Sequence, residues 1–260
     1  MYPMPEKIRT FSILFVVVSA VIIIWLEKKY PYTKNQKFFR DGFWDDFVFY
    51  TFIQSFALGL IISELIIYLD TTSEFSRLQI ISGIPVWAQF LFFLVTHDLY
   101  IYWFHRWQHN SPLLWRIHEA HHSNKQIDWI AGMRSHPFEI LINQTIEFAP
   151  IVLLGANPVV ALLKGAVDAV WGMYIHSNID VKSGKLQYFI NGPEMHRWHH
   201  SDEDDAHNKN FATKLAIWDW LFRTPYLPSL RKPSVYGLSD SSFPSGYIKQ
   251  VIYAFRKTNL

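Results

Sequence analysis

The sequence predicts an all-α protein, a multi-pass bundle of membrane helices carrying a histidine-rich helical cap on its cytosolic side. Three observations predict it. Half of the 260 residues are hydrophobic and only 18% are charged, and the apolar residues are bunched into long runs rather than mixed with polar ones. All twelve histidines lie between His97 and His207, most of them three or four residues apart, the spacing that shares one helix face. Basic residues gather in the loop between the first two apolar runs. The formal net charge of +2 and the lack of any basic–aromatic recognition module argue against a nucleic-acid partner. With no cysteine, disulfides, thiolate metal ligands and iron–sulfur clusters are excluded.

The first span is "FSILFVVVSAVIIIWL", Phe11–Leu26, with Trp25 placed for the interface. It is followed by "EKKYPYTKNQKFFR" rather than by a small-residue cleavage site, so it reads as a retained helix and not as a signal peptide. Phe47–Leu69 is the second span, with Glu64 inside it, and Pro85–Phe104 the third. Phe138–Leu154 and Pro158–Ile175 form a helical hairpin broken at "GANP". In the last stretch, "YIKQVIYAFRK", Tyr247, Val251 and Phe255 recur at helical spacing with Lys249, Arg256 and Lys257 elsewhere, the pattern either of a helix lying on a membrane surface or of an ordinary amphipathic helix packed on the cap. Three regions result: 1–84, an N-terminal transmembrane region; 85–225, the histidine domain; and 226–260, a tail with an interfacial helix.

Lys28, Lys29, Lys34, Lys37 and Arg40 place the first loop in the cytoplasm. Counting crossings from there puts both His105–His136 and everything from His176 onward on that same face. The histidines were not used to set this topology, yet all their clusters converge on one side.

Three clusters carry the chemistry: "HRWQH" with His105 and His109, "HEAHH" with His118, His121 and His122, and "HRWHH" with His196, His199 and His200. "HEAHH" also fits H-E-x-x-H, in which His118 and His122 would hold zinc and Glu119 would serve as the general base of a membrane hydrolase. That reading ignores His121 and both other clusters. A single zinc site takes three or four protein ligands, and the clustered histidines are about twice that number, so two ions are the economical answer. Imidazole suits iron, zinc and copper alike, so ligand type does not choose the metal. A histidine-rich metal-binding protein without catalysis is the non-enzymatic reading.

The run "HDLYIYWFHRWQH", "HEAHHS", "RSHPFE", "HSNID", "HRWHHS" and "WDWLF" resembles the fatty acid hydroxylase / sterol desaturase superfamily over roughly residues 90–224. The resemblance implies a non-haem di-iron membrane oxygenase that hydroxylates, oxidises or desaturates a lipid with O2 as co-substrate. It implies two iron ions, with zinc able to replace them on purification. Electrons would come from NAD(P)H indirectly, through a separate donor of the cytochrome b5-like or ferredoxin/reductase kind. Carried onto this chain, the ligands are His105, His109, His118, His121, His122, His196, His199 and His200, with His176 of "HSNID" as the ninth. That is enough for one four-nitrogen and one five-nitrogen site. Two positions where the family usually carries glycine are Ala212 and Arg223 here.

Asp98 is expected to orient a ligating imidazole or to pair with a nearby cation, Glu119 to accept from an outer ring nitrogen or to lie at the surface, and His136 to support a ligand or serve as a tenth. His97 reads as buried and hydrogen-bonded, and His207 as a surface residue. Trp107 and Trp198 are expected to pack the cap, and Arg106 and Arg197 to form salt bridges within it, with "DEDD" as a partner.

Overall fold

The structure, a computed structural model, describes residues 6–240 and 242–257. Helix α1 (Glu6–Lys29) is followed by a loop, then by π-helical turns over Asp45–Gln54 that run directly into α2 (Ser55–Ser73). Then come α3 (Val86–Asn110), α4 (Pro112–His122), α5 (Pro137–Leu153) and α6 (Pro158–His176). Three short helices complete the chain: α7 (Pro193–His199), α8 (Ile217–Leu221) and α9 (Tyr247–Tyr253). Among the described residues there is no β-strand, only two isolated bridges.

Three helices begin the same way. Ser111, His136 and Asn157 each accept a backbone N–H from the first turn, and each is followed by proline, whose missing N–H costs nothing there. These caps fix where α4, α5 and α6 start, and hence which residues face the site.

Leu58, Ile62 and Ile66, one turn apart on α2, pack on Ala149 of α5. Ile23 of α1 packs on Met173 of α6 and on Ile179. The outer faces of α1 and α2 stay bare: Phe11, Leu14, Val18, Val21, Phe56 and Leu60 are all more than half exposed, as lipid-facing side chains should be. The α2–α3 loop and the "GANP" turn meet at one end of the bundle. There Gly155 has φ +70°, and a β-carbon on it would lie 2.9 Å from Gln79 Cα, so both backbone and space require glycine. The opposite end of the bundle carries every histidine cluster.

Among the described residues, three helices are long and apolar enough to cross a membrane: Glu6–Lys29, Asp45–Ser73 and Pro158–His176. The third expected span, α3, and the first arm of the hairpin, α5, are more polar or shorter than these. Helix α3 has 25 residues, but its second half carries His97, Asp98, His105, Arg106 and His109; α5 has 17 residues and carries Asn143, Gln144 and Glu147. Both spend their polarity on the interior, where α3, α5 and α6 share buried charges. The turn after α8 holds a second difference: Arg223, where the family places glycine, sits at φ +61° in the left-handed region.

Candidate metal centre

Nine imidazoles form two adjacent groups. His105 and His109 of α3, His118 and His122 of α4, and His199 of α7 each offer a nitrogen within 4.8 Å of the others. His121 of α4, His176 of α6, and His196 and His200 at the end of α7 do the same. Helical spacing divides each box. On α4 the residues four apart, His118 and His122, go to the first group, and His121 turns to the second. The groups touch where the ring of His122 lies 4.6 Å from that of His200.

The first group points bare nitrogens inward. The Nε2 atoms of His105, His109, His118, His122 and His199 are buried and have no hydrogen-bond partner. The outer nitrogens explain why. Nδ1 of His105 donates to the Phe211 carbonyl at 2.8 Å, that of His199 to the Lys209 carbonyl at 2.8 Å, and that of His118 to Glu139 at 2.9 Å. A proton on Nδ1 leaves a lone pair on Nε2. Three lone pairs and two further unpartnered nitrogens, buried and facing one point, have no satisfied state without a cation.

The second group makes the same case by distance. His121 and His176 donate Nδ1–H to the carbonyls of Arg134 (3.0 Å) and Gly172 (2.7 Å), so both present lone pairs at Nε2, yet those atoms are 3.2 Å apart. His196 Nε2 lies 2.9 Å from His176 Nε2 and 3.1 Å from His200 Nε2. Nitrogens bound to one ion at about 2.0–2.1 Å sit about 3 Å from each other. The residues present therefore fit a metal in each group. Burial pushes His118 down to about 3 and, with the neighbouring His118, pushes His121 down to about 4. His122, His196, His199 and His200 are pushed well below their ordinary value, by burial first and then by adjacent imidazoles. All are held neutral, the form that binds metal.

Backbone placement matters as much. A β-carbon on Gly132 would lie 2.4 Å from His176 Nδ1, so only glycine lets that ring pass. Two buried carboxylates pin the strap that supplies the Phe211 carbonyl. Asp219 accepts from the N–H groups of Phe211 (2.8 Å) and Ala212 (3.0 Å), and burial pushes it up to about 6. Asp98 accepts from Thr213, Lys214, Leu215 and the Trp218 indole.

None of Asp98, Glu119 and His136 meets a ligating imidazole, but Asp98 lies 3.7 Å from Lys214 Nζ, the cation pairing expected as its other role. Asp98 acts on His105 only through the strap. Glu119 faces away from the histidines and pairs with both terminal nitrogens of Arg256. His136 caps α5 with Nδ1 and donates from Nε2 to the Val251 carbonyl, which leaves neither nitrogen for a metal. The carboxylate that does reach a clustered imidazole is Glu139, three residues further along "RSHPFE", which the sequence reading passed over. Its signal was its place on the first turn of a helix that begins beside the second box.

A third group, His97, Glu147 and Asp168, has ligand-like geometry deep in the bundle. Its cation is already present. Lys164 Nζ lies 2.6 Å from Glu147, 2.7 Å from Asp168 and 2.9 Å from His97 Nδ1. His97 is buried and hydrogen-bonded, as expected. Trp198 is buried, but Trp107 is 62% exposed, a correction. Arg197 donates to the Ser177 and Ile179 carbonyls and stacks on Tyr32, and Arg106 reaches the Tyr102 hydroxyl. The residue that pairs with "DEDD" is Arg231, through Glu203 and Asp205. His207 is exposed at the surface.

The sequence profile of the fatty acid hydroxylase family matches residues 90–224, the stretch holding all nine histidines. The chain is 32% identical over 173 residues to the ornithine lipid hydroxylase OlsE of Rhizobium tropici, covering 66% of this chain and 52% of that protein. It is 31% identical over 153 residues to the alkylglycerol monooxygenase of Danio rerio, 59% of this chain and 33% of the relative. With human lathosterol oxidase it shares 26% identity over 167 residues, 64% of this chain and 52% of the relative. The chain spans about half or less of the length of these relatives. No solved structure matches it significantly.

Proposed function

The chain belongs to the fatty acid hydroxylase family, and on that premise we propose that it is a membrane-bound di-iron oxygenase acting on a C–H bond of a lipid. The observation that carries this reading is the convergence of nine imidazoles, eight buried and His109 partly so, into a five-nitrogen and a four-nitrogen group whose inward nitrogens lack any other partner. His105, His109, His118, His122 and His199 would hold one iron, and His121, His176, His196 and His200 the other. When bound, the two ions supply the redox chemistry that lets dioxygen attack an unactivated C–H bond.

The rest is the work of the chain. Carbonyls of Phe211, Lys209, Arg134 and Gly172 fix the tautomer and ring plane of four ligands, and Glu139 does the same for His118 with a negative charge that makes its imidazole a better donor. Burial of both groups excludes bulk water, which protects reactive states from quenching. The exposed lysines of the first loop favour a cytoplasmic cap, where a separate electron donor of the cytochrome b5-like or ferredoxin kind, drawing on NAD(P)H, would dock. Glu119, turned outward onto Arg256, is out of place for a hydrolytic general base.

The test pairs stoichiometry with product. Protein purified without oxygen should carry close to two irons, and lipid extracts from cells expressing it should gain an oxygen-dependent product that His121→Ala abolishes. One tightly held zinc, with full activity and no oxygen consumption, overturns the reading.

A further inference from the structure

Helix α9 is rotated from the sequence expectation: of Tyr247, Val251 and Phe255, only Phe255 is exposed. Tyr247 donates its hydroxyl to Gln54 at 3.0 Å, Tyr50 donates to Gln250 at 2.8 Å, and Ala254 is buried, so the face through Tyr247, Gln250 and Ala254 is the one held by protein. The opposite face is apolar and bare. Ile248, Ile252 and Phe255 are each 62% exposed. Lys249 and Lys257 are exposed beside them.

Two contacts join α9 to surfaces that lipid would already cover. On its held face, Tyr247 stacks on Phe49 at 5.5 Å, which seats α9 against the membrane-spanning helix Asp45–Ser73, whose Phe49, Phe52 and Phe56 are exposed. Phe255 lies 5.9 Å from Phe138, itself 49% exposed at the start of α5. A short helix with large apolar side chains on one face and lysines at its flank has the character of a segment lying in the headgroup boundary, where cations meet lipid phosphate.

We propose that α9 rests in the bilayer surface on the histidine side of the bundle. Ile248, Ile252 and Phe255 sit among the acyl chains, and Lys249 and Lys257 face anionic lipid phosphates. The inference rests on the reading of the bundle as membrane-spanning. It gives the outward pair Glu119–Arg256 a purpose, because that pair ties the surface helix to α4, the helix that carries three of the nine histidines. It also sets the Phe138–Phe255 pair where the bilayer comes closest to the metals, since Glu139, the residue after Phe138, is bonded to His118.

The chain has no cysteine, so single cysteines carry spin labels without background. Labels at 248, 252 and 255, with Leu60→Cys as the span control and Lys125→Cys as the water control, are read in nanodiscs of phosphatidylcholine with phosphatidylglycerol. All five positions are exposed, and each variant is first matched to the parent in melting temperature. The expected ratio of collisions with oxygen to collisions with a water-soluble nickel chelate equals that of position 60 at 248, 252 and 255. Lys249→Glu with Lys257→Glu should lower the ratio at 252 in these nanodiscs and leave it unchanged in phosphatidylcholine alone; no change in either overturns the phosphate contact. Nickel access at 248 and 252, or shielding from both reagents by a second copy, overturns the proposal while position 60 still reads lipid. If position 60 also reads water, the membrane reading beneath it has failed.

Discussion

Single residues decide how the imidazoles meet an ion. Glu139→Gln keeps an acceptor on His118 but removes the charge, and should weaken metal binding by about 10–100-fold, measured by competition with a chelator. Glu119→Gln leaves the nine nitrogens in place and should keep two metals per chain, whereas a hydrolase built on Glu119 would lose all activity. The histidines also set a pH limit. His118 and His121 titrate at about 3 and about 4 in the fold, below the ordinary value of 6.5 expected once unfolded. Between those values the unfolded chain holds more protons than the folded one. Stability of the metal-free protein should therefore be full above pH 6.5 and fall as pH drops from 6.5 toward 4, and bound metal should be released over the same window. Melting temperature and metal content after equilibration at steps from pH 7.5 to 4 check this. Lys164 is the sensitive residue outside the metal groups. Lys164→Met leaves Glu147 buried without its cation and Asp168 with Lys214 alone, at 3.3 Å, and should cost about 3–5 kcal/mol of stability.

At the scale of elements, the backbone controls which rings can approach. Gly132→Ala puts a methyl group into the ring of His176 and should empty the four-histidine group while sparing the five-histidine one, seen as loss of one metal of two. The turn after α8 makes the reverse prediction. Arg223 holds a left-handed conformation, costing about 1–2 kcal/mol for an L-residue, and it is exposed. Arg223→Gly relieves that cost, partly offset by the greater freedom of unfolded glycine, and should raise the melting temperature with metal content unchanged.

For the whole molecule the decisive feature is that α4, the end of α3, the end of α6 and α7 meet at one end of the bundle, while Gly155 and the α2–α3 loop meet at the other. Single cysteines at Lys125 and Asp204 on the histidine end should be protected from an impermeant reagent in intact cells. One at Ser82, at the far end, should be labelled. Opposite sides for Lys125 and Asp204 would exclude a common metal centre.

Much of this was legible in the chain itself. Helical spacing of three and four selected the clustered imidazoles, because i, i+3 and i+4 share a face whatever the surroundings, and long apolar runs marked α1, α2 and α6 because lipid asks only for length and low polarity. Resemblance added His176, a lone histidine that no spacing would single out. What spacing does not encode is the direction of a side chain relative to other helices. Glu119 sits inside "HEAHH", yet it turns outward to an arginine 137 residues away, and Glu139, in no histidine box, turns inward to His118. On α9 the expected face held only at Phe255, for the same reason, since Tyr247 and Val251 look as apolar as Ile248 and Ile252 until the hydroxyl of Tyr247 finds Gln54. Periodicity names the faces of a helix; only packing against distant segments, through hydrogen bonds that buried groups must make, decides which face looks inward.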